Sequence, residues 1–299
     1  MIDVCLLGIG GMMPLPDRPL SAALVRVGGE TTLFDAGEGT QVNWRLSGWP
    51  FRPTSTILLS HAHADHIAGL PGILFQIAHS GRTEPVTVYG SQWTTEVVSA
   101  LLTIVGLLPY ELRVVELEGG ESIALPGGLT LRTLALRHRL SCLAYAIEVA
   151  RRPEFDPERA RLLGVPLEHW RRLQDGETVA GIRPEQVLGP ARRGLKLSLI
   201  TDTRYFDGLA EFVANSDLLI CESMYADDDD EDQARERGHM TIRQATSVAA
   251  KAGARALWLT HFSPRVENPG QHLSFARGLF ANTEIGPPGR KTTLRFEDG

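Results

Sequence analysis

Hydrophobic positions along this chain follow two rhythms. Short apolar runs rich in β-branched residues at 3–7, 22–27, 31–35, 56–59, 86–89, 112–117, 129–137, 143–149, 195–200, 218–221 and 256–259 each predict a strand. Apolar residues spaced by three and four fit helices at 67–79, 92–105, 157–163, 206–214, 241–252 and 269–280. The first third is mostly strands closed by Gly-rich turns, whereas strands and helices alternate in the last third. That order predicts an α/β protein in which two sheets pack together with helices outside them. With 299 residues, 43% of them hydrophobic, the chain can bury a large core, as one big α/β domain or two small ones.

Residues 151–196 break the rhythm. They hold five prolines and ten basic residues against seven acidic, a local charge of +3, so the rest of a chain with net charge -6 carries -9. The prolines suit an arm lying outside the sheets, and a solvated surface excursion would have the same composition. A pI near 5.9 argues against non-specific coating of nucleic acid, but it leaves room for a local basic patch on a phosphate backbone. Cys5, Cys142 and Cys221 are far apart, odd in number and never in a C-x-x-C pair, as expected of small core residues in a reducing compartment. The start "MIDVCLLGIGG" has no basic leader and reads as a first strand, and no stretch approaches the ~20 uninterrupted apolar residues of a membrane span. A cytoplasmic protein is expected.

Candidate chemistry is concentrated after the run at 56–59. The stretch "SHAHADHIAGLPG" places His61, His63, Asp65 and His66 within six residues, three of the nine histidines in the chain. Neutral imidazoles with a carboxylate are the ligands zinc favours, and a strand-to-helix turn can aim them together. One turn cannot point all four at a single ion. His61 and His63, as alternate residues, can share one, leaving Asp65 and His66 for a second, and two ions about 3.5–4 Å apart need further ligands and a bridge. Three more polar residues directly follow apolar β-runs: His138 in "LALRHRLSC", Asp202 in "LSLITDTR" and His261 in "LWLTHFSPR". Strand ends are where sheets deliver site residues.

The order H-x-H-x-D-H, then His, Asp and His, resembles the metallo-β-lactamase superfamily. Further stretches spread over nearly the whole chain, "LGIGGMMPLPDRPLSA", "TLFDAGEGTQ", "LRHRLSCLAYAIE", "ERARLLGVP", "LQDGETV" and "GHMTIRQA" among them, make the resemblance specific to its ribonuclease Z family. That resemblance implies a single metallo-β-lactamase-fold domain over 1–299, an αββα sandwich of two mixed sheets flanked by helices, with 151–196 inserted as an exosite-like arm. It implies two zinc ions: His61, His63 and His138 on the first, Asp65, His66 and His261 on the second, and Asp202 bridging both. The implied reaction removes the 3′ trailer from precursor tRNA by attack of a two-metal-activated hydroxide. Asp65 resembles the proton acceptor, His239 matches the histidine that protonates the departing 3′-oxygen, and Glu222 sits where a carboxylate supports it. The family also implies a homodimer in which the arm of one subunit holds tRNA cleaved by the other. Two other readings use the same residues: a dinuclear zinc phosphodiesterase or metallo-hydrolase acting on a smaller ester, and a non-catalytic nucleic-acid-binding protein.

Some positions depart from the family pattern. Met240 stands where serine is common, Thr201 where glycine commonly precedes the bridging aspartate, and "GVPLEHWRRLQDG" replaces the Gly-Pro run of the arm. "LGIGGMMPLPDRP" lacks the lysine and spacing of a phosphate-cradling loop and reads as a turn near the site's mouth. "ADDDDEDQARERG" reads as a solvated helix start whose acids suit the helix dipole. His79, His169 and His272 match no motif, and Tyr145, Trp170 and Trp258 are expected to pack rather than stack on bases.

Overall fold

In the computed structural model, which describes residues 1–297, the apolar runs become two seven-stranded sheets. The strands are β1 (Ile2–Gly8), β2 (Ala22–Val27), β3 (Glu30–Phe34), β4 (Thr54–Leu58), β5 (Val86–Gly90), β6 (Leu112–Glu116), β7 (Ser122–Leu125), β8 (Leu129–Ala135), β9 (Leu143–Arg151), β10 (Arg192–Ile200), β11 (Leu218–Glu222), β12 (Leu257–Thr260), β13 (Thr283–Glu284) and β14 (Lys291–Leu294). One sheet has the order β14-β1-β2-β3-β4-β5-β6, the other β13-β12-β11-β10-β9-β8-β7. Each is mixed. Pairing is antiparallel from β14 to β3 and parallel from β3 to β6, and it is parallel from β10 to β13 and antiparallel from β7 to β9.

The helices are α1 (Thr40–Ser47), α2 (Ala64–Ile67), α3 (Leu70–His79), α4 (Thr94–Leu102), α5 (Pro157–Leu162), α6 (Leu167–Gln174), α7 (Gly208–Phe212), α8 (Glu231–Arg237), α9 (Ile242–Lys251) and α10 (Leu273–Leu279). In α3 the buried residues Leu70, Ile73, Leu74 and Ile77 form one stripe at helical spacing, packed with Trp44 of α1 and Val98 of α4 on the first sheet. Burying each such aliphatic side chain stabilises the fold by about 1.5–3 kcal/mol. Helix α9 buries a matching stripe, and its start is fixed by a capping box between Thr241 and Gln244. The two-sheet, helix-flanked α/β arrangement expected from the hydrophobic pattern is present.

The two sheets meet through β9. Tyr145, fully buried, donates its hydroxyl hydrogen to the Leu59 carbonyl at 2.7 Å and sets its ring edge-on to Phe34, while the Leu143 N–H reaches the Ser60 carbonyl at 3.0 Å. These contacts hold the end of β4, where the histidine cluster starts, against the second sheet. Tyr145 and Trp258 are core residues, as expected, and Trp170 packs against a separate small cluster around Leu173.

The single helix expected over 67–79 is instead two, α2 and α3, separated at Ala68 and Gly69. The break has a packing cause: the Ala36 N–H bonds to the His66 carbonyl and the Gly69 N–H to the Ala36 carbonyl, both at 2.7 Å. A side chain on Gly69 would overlap the Gly37 backbone, so only glycine permits this approach. The acidic run becomes the lead-in to α8, with three carboxylates occupied: Asp228 with Arg243, Glu231 with Gln244 and Asp232 with Arg235.

Met1–Val149 together with Lys196–Arg295 form one compact unit; Ala150–Leu195, with Phe296 and Glu297, form a second. The second has its own small core of Ala160, Val165, Leu173, Val179 and Val187, flanked by Phe155, Trp170 and Ile182. Many of its charges pair internally, Arg152 and Arg171 with Asp175 and Arg172 with Glu177. No helix among the described residues is long and apolar enough to cross a membrane.

Tyr145→Phe is expected to lower the free energy of unfolding by about 1–3 kcal/mol, because the buried Leu59 carbonyl loses its donor. Urea denaturation with an unchanged m-value measures this; an unchanged midpoint would contradict it.

Candidate metal centre

Every residue of the predicted cluster arrives from a strand end. His61 follows β4, His63 precedes the first turn of α2, Asp65 and His66 lie in that turn, His138 follows β8, Asp202 follows β10 and His261 follows β12. These residues form two adjacent donor sets: His61, His63, His138 and Asp202, and Asp65, His66 and His261.

Asp202 stands between them and faces each with a different oxygen. Its Oδ2 lies 3.7 Å from His61 Nε2 and 3.8 Å from His138 Nε2, and its Oδ1 lies 3.4 Å from His66 Nε2 and 3.2 Å from His261 Nε2. Within the second set, Asp65 Oδ2 is 3.5 Å from His66 Nε2 and 3.4 Å from His261 Nε2. Four donors around a tetrahedral zinc at 2.0–2.1 Å lie roughly 3.3 Å apart, so these spacings match the edges of a coordination polyhedron. The His66 and His261 Nε2 atoms face each other at 3.1 Å. Two ring nitrogens facing each other at this distance can share a cation.

The back sides of three rings are held. His66 Nδ1 lies 2.7 Å from Asp35 Oδ2, so it carries the hydrogen and leaves Nε2 as the donor atom toward the site. Asp35 also accepts from the Ser60 N–H at 2.8 Å and the Ser60 hydroxyl at 2.9 Å. His138 Nδ1 points at the Gly238 carbonyl at 3.0 Å, and His61 Nδ1 lies 3.0 Å from Ser60 Oγ. Asp35 escaped the sequence reading, although an acid directly after the apolar β3 run in "TLFDAGEGTQ" obeys the rule that singled out Asp202.

The Gly-rich loop after β1 also belongs to the site. The Met12 N–H donates to Asp65 Oδ2 at 2.7 Å, and a Cβ on Gly11 would stand 2.7 Å from the His261 ring. Met12, Asp35 and His261 all take left-handed backbone conformations, with φ of 66°, 54° and 58°. Such conformations in non-glycine residues cost about 1–3 kcal/mol each and persist where surrounding contacts enforce them.

Burial and charge divide the imidazoles. Burial lowers the pKa values of His61, His63 and His138, favouring the neutral form that donates a lone pair. For His66, burial works in the same direction, but the Asp202 and Asp35 carboxylates outweigh it and raise its value well above the ordinary range. Burial likewise opposes ionisation of Asp202, yet His261, His66, His239 and His61 hold it well below the usual carboxylate value.

His239, at the edge of the cluster, places Nδ1 3.2 Å from Glu222 Oε1. Burial resists its protonation, but Glu222 and then Asp202 push it up to about 9. Glu222 is fully buried at the end of β11 and accepts from the Thr203 N–H at 2.8 Å and the Met224 N–H at 3.1 Å. His63, Asp65, His138, Asp202 and His239 all line one cavity of about 200 Å³, with Met12 on its wall. His79, His169 and His272 lie in none of the donor sets.

A family profile described as "Beta-lactamase superfamily domain" matches residues 30–154 and 142–262. A curated relative from Clostridium kluyveri, named Ribonuclease Z, is 44% identical over 303 residues, covering 100% of both chains. The chain belongs to the ribonuclease Z family. Its fold is that of the crystal structure of human tRNase Z, short form, at TM-score 0.70 and 22% identity over 98% of this chain and 100% of that one. A metallo-beta-lactamase fold protein from Bacillus subtilis is likewise similar, at TM-score 0.71 and 20% identity over 97% and 98% of the two chains. The metallo-β-lactamase fold is thus established, and the full-length match to ribonucleases Z makes the chain a ribonuclease, a hydrolase of phosphodiester bonds. Against this family background, Thr201 has a visible use: its hydroxyl donates to Asp202 Oδ1 at 2.9 Å. Met240, the other departure near the site, is buried.

Because Asp35 orients His66, Asp35→Ala is expected to weaken metal binding by about 10–100-fold. Competition with a chromophoric chelator measures it, and wild-type affinity would contradict it.

Proposed function

We propose that this chain is a zinc phosphodiesterase with tRNA 3′-processing endoribonuclease activity, removing the 3′ trailer from precursor tRNA. The observation that carries the reading is the division of the Asp202 carboxylate between two donor sets, in a chain that aligns over its whole length with ribonucleases Z. On this reading His61, His63 and His138 hold one zinc, Asp65, His66 and His261 hold a second, and Asp202 bridges them. The donor chemistry fits: five neutral-capable imidazoles and two carboxylates are the N/O set zinc takes. Two bound divalent cations supply water activation near neutral pH and charge neutralisation on a phosphodiester.

The chain's own groups do the rest. Asp65, which takes a hydrogen bond from the Met12 N–H, would accept a proton from the attacking water. His239 carries a proton at neutral pH, with Nδ1 engaged by Glu222 and Nε2 left to deliver hydrogen to the departing 3′-oxygen. Glu222 acts by orienting His239 and sustaining its charge. As water adds to phosphorus the P–O3′ bond breaks, and the proton from His239 leaves the tRNA with a 3′-hydroxyl.

The whole chain, 1–299, is read as one metallo-β-lactamase-fold domain carrying residues 151–196 as an exosite-like arm that grips the body of the tRNA. Two copies form a homodimer in which each arm serves the other's site. Buried free Cys5, Cys142 and Cys221 suit the reducing cytoplasm.

The deciding experiment offers the purified protein a precursor tRNA with a 3′ trailer and, separately, a small aryl phosphodiester. Wild type is expected to remove the trailer. His239→Ala should lose about 10²–10⁴-fold in kcat while retaining its metal, and Asp65→Ala should lose at least as much. Turnover of the small ester without trailer removal would replace this reading with the smaller-ester hydrolase; binding of RNA with no turnover would replace it with the non-catalytic one.

A further inference from the structure

The cavity above the donor sets has a cationic wall that the chemistry described so far does not use. Arg139 and Arg237 both line it, beside His63, His138 and His239. They arrive from different elements, Arg139 directly after His138 beyond β8 and Arg237 at the last position of α8. One contact fixes the two loops together, His138 Nδ1 on the Gly238 carbonyl at 3.0 Å. Both arginines are exposed, and among the described residues neither guanidinium enters an ion pair or a side-chain hydrogen bond. Neighbouring arginines behave differently: Arg235 pairs with Asp232 at 2.8 Å and Arg243 with Asp228 at 2.6 Å. Those pairs occupy Asp232 and Asp228 of the nearby acidic run.

We propose that Arg139 and Arg237 form a phosphate clamp that takes the RNA backbone phosphates flanking the scissile one. The inference rests on the ribonuclease reading above and names what distinguishes a polymeric substrate from a small ester at the same site. An aryl phosphodiester has one phosphate, which the paired donor sets engage. A polynucleotide presents further phosphates one residue to either side. A guanidinium holds such a group through two parallel N–H···O bonds and stays charged at any working pH. In a chain of net charge -6, two uncommitted guanidinium groups at the mouth also draw a polyanion toward the site.

The test compares wild type, R139Q/R237Q and R139K/R237K on trailer-bearing precursor tRNA over a range of salt, with the small aryl phosphodiester in parallel. Metal content and thermal midpoint confirm that each variant is folded and loaded. The double glutamine variant is expected to show a raised KM for precursor tRNA and a salt dependence of log(kcat/KM) flattened by about 0.7–0.9 per lost contact. Its loss on RNA should exceed its loss on the aryl ester by at least about tenfold, and the lysine variant, keeping the charge, should retain the wild-type slope. A wild-type slope and KM in the folded, loaded glutamine variant would overturn the clamp while leaving the ribonuclease reading intact, as would equal losses on both substrates. Wild type that binds the tRNA but does not cleave it sinks the ribonuclease reading, and the salt slope of the dissociation constant then decides the clamp by the same criterion.

Discussion

The structure depends on keeping one carboxylate, that of Asp202, buried among imidazoles. Taken alone, a fully desolvated carboxylate costs several kcal/mol. Here each oxygen faces the nitrogens of a different set, and the hydroxyl of Thr201 bonds one of them, so polar groups meet the carboxylate from both sides. The strand ends must converge for that to occur. Mixed sheets achieve it, because the parallel strands β4, β10 and β12 all end toward the same rim, and Tyr145 of β9 ties the end of β4 to the second sheet.

From that constraint follow features that are otherwise unconnected. Asp35 and His261 accept unfavourable left-handed backbones because their side chains must reach the same small volume. Helix α2 stops after one turn so that His66 can lie back on Asp35 and Gly69 can pass close to Gly37. The Gly-rich loop after β1 holds the outer face, with the Met12 N–H on Asp65 and Gly11 leaving room for the His261 ring. At the edge of the same volume, the buried Glu222 carboxylate backs the His239 ring.

Most of this was legible in the sequence, for a physical reason. Apolar β-runs announce strands, and a polar residue directly after such a run announces a site, so His61, His138, Asp202 and His261 could be found without knowing how the strands pair. Strands β7, β13 and β14 were not found because they are short or partly exposed, and "KTTL" carries no alternation strong enough to register. Helix α1 buries only Thr40, Trp44 and Ser47, too thin a stripe to read, and α6 is mostly polar and fully buries Leu173 alone, in the small core of the second unit. Asp35, Gly11 and Met12 stayed hidden for a different reason. They act on side chains far away in sequence, and a hydrogen bond from residue 12 to residue 65 leaves no local pattern.

The central claim is that one carboxylate serves two metal positions. Anomalous diffraction from zinc-loaded crystals, collected on either side of the zinc absorption edge, tests it most directly. The account predicts two peaks per chain about 3.5–4 Å apart, with the Asp202 carboxylate between them. A single peak at full occupancy, or two peaks with Asp202 bound to only one, would contradict it.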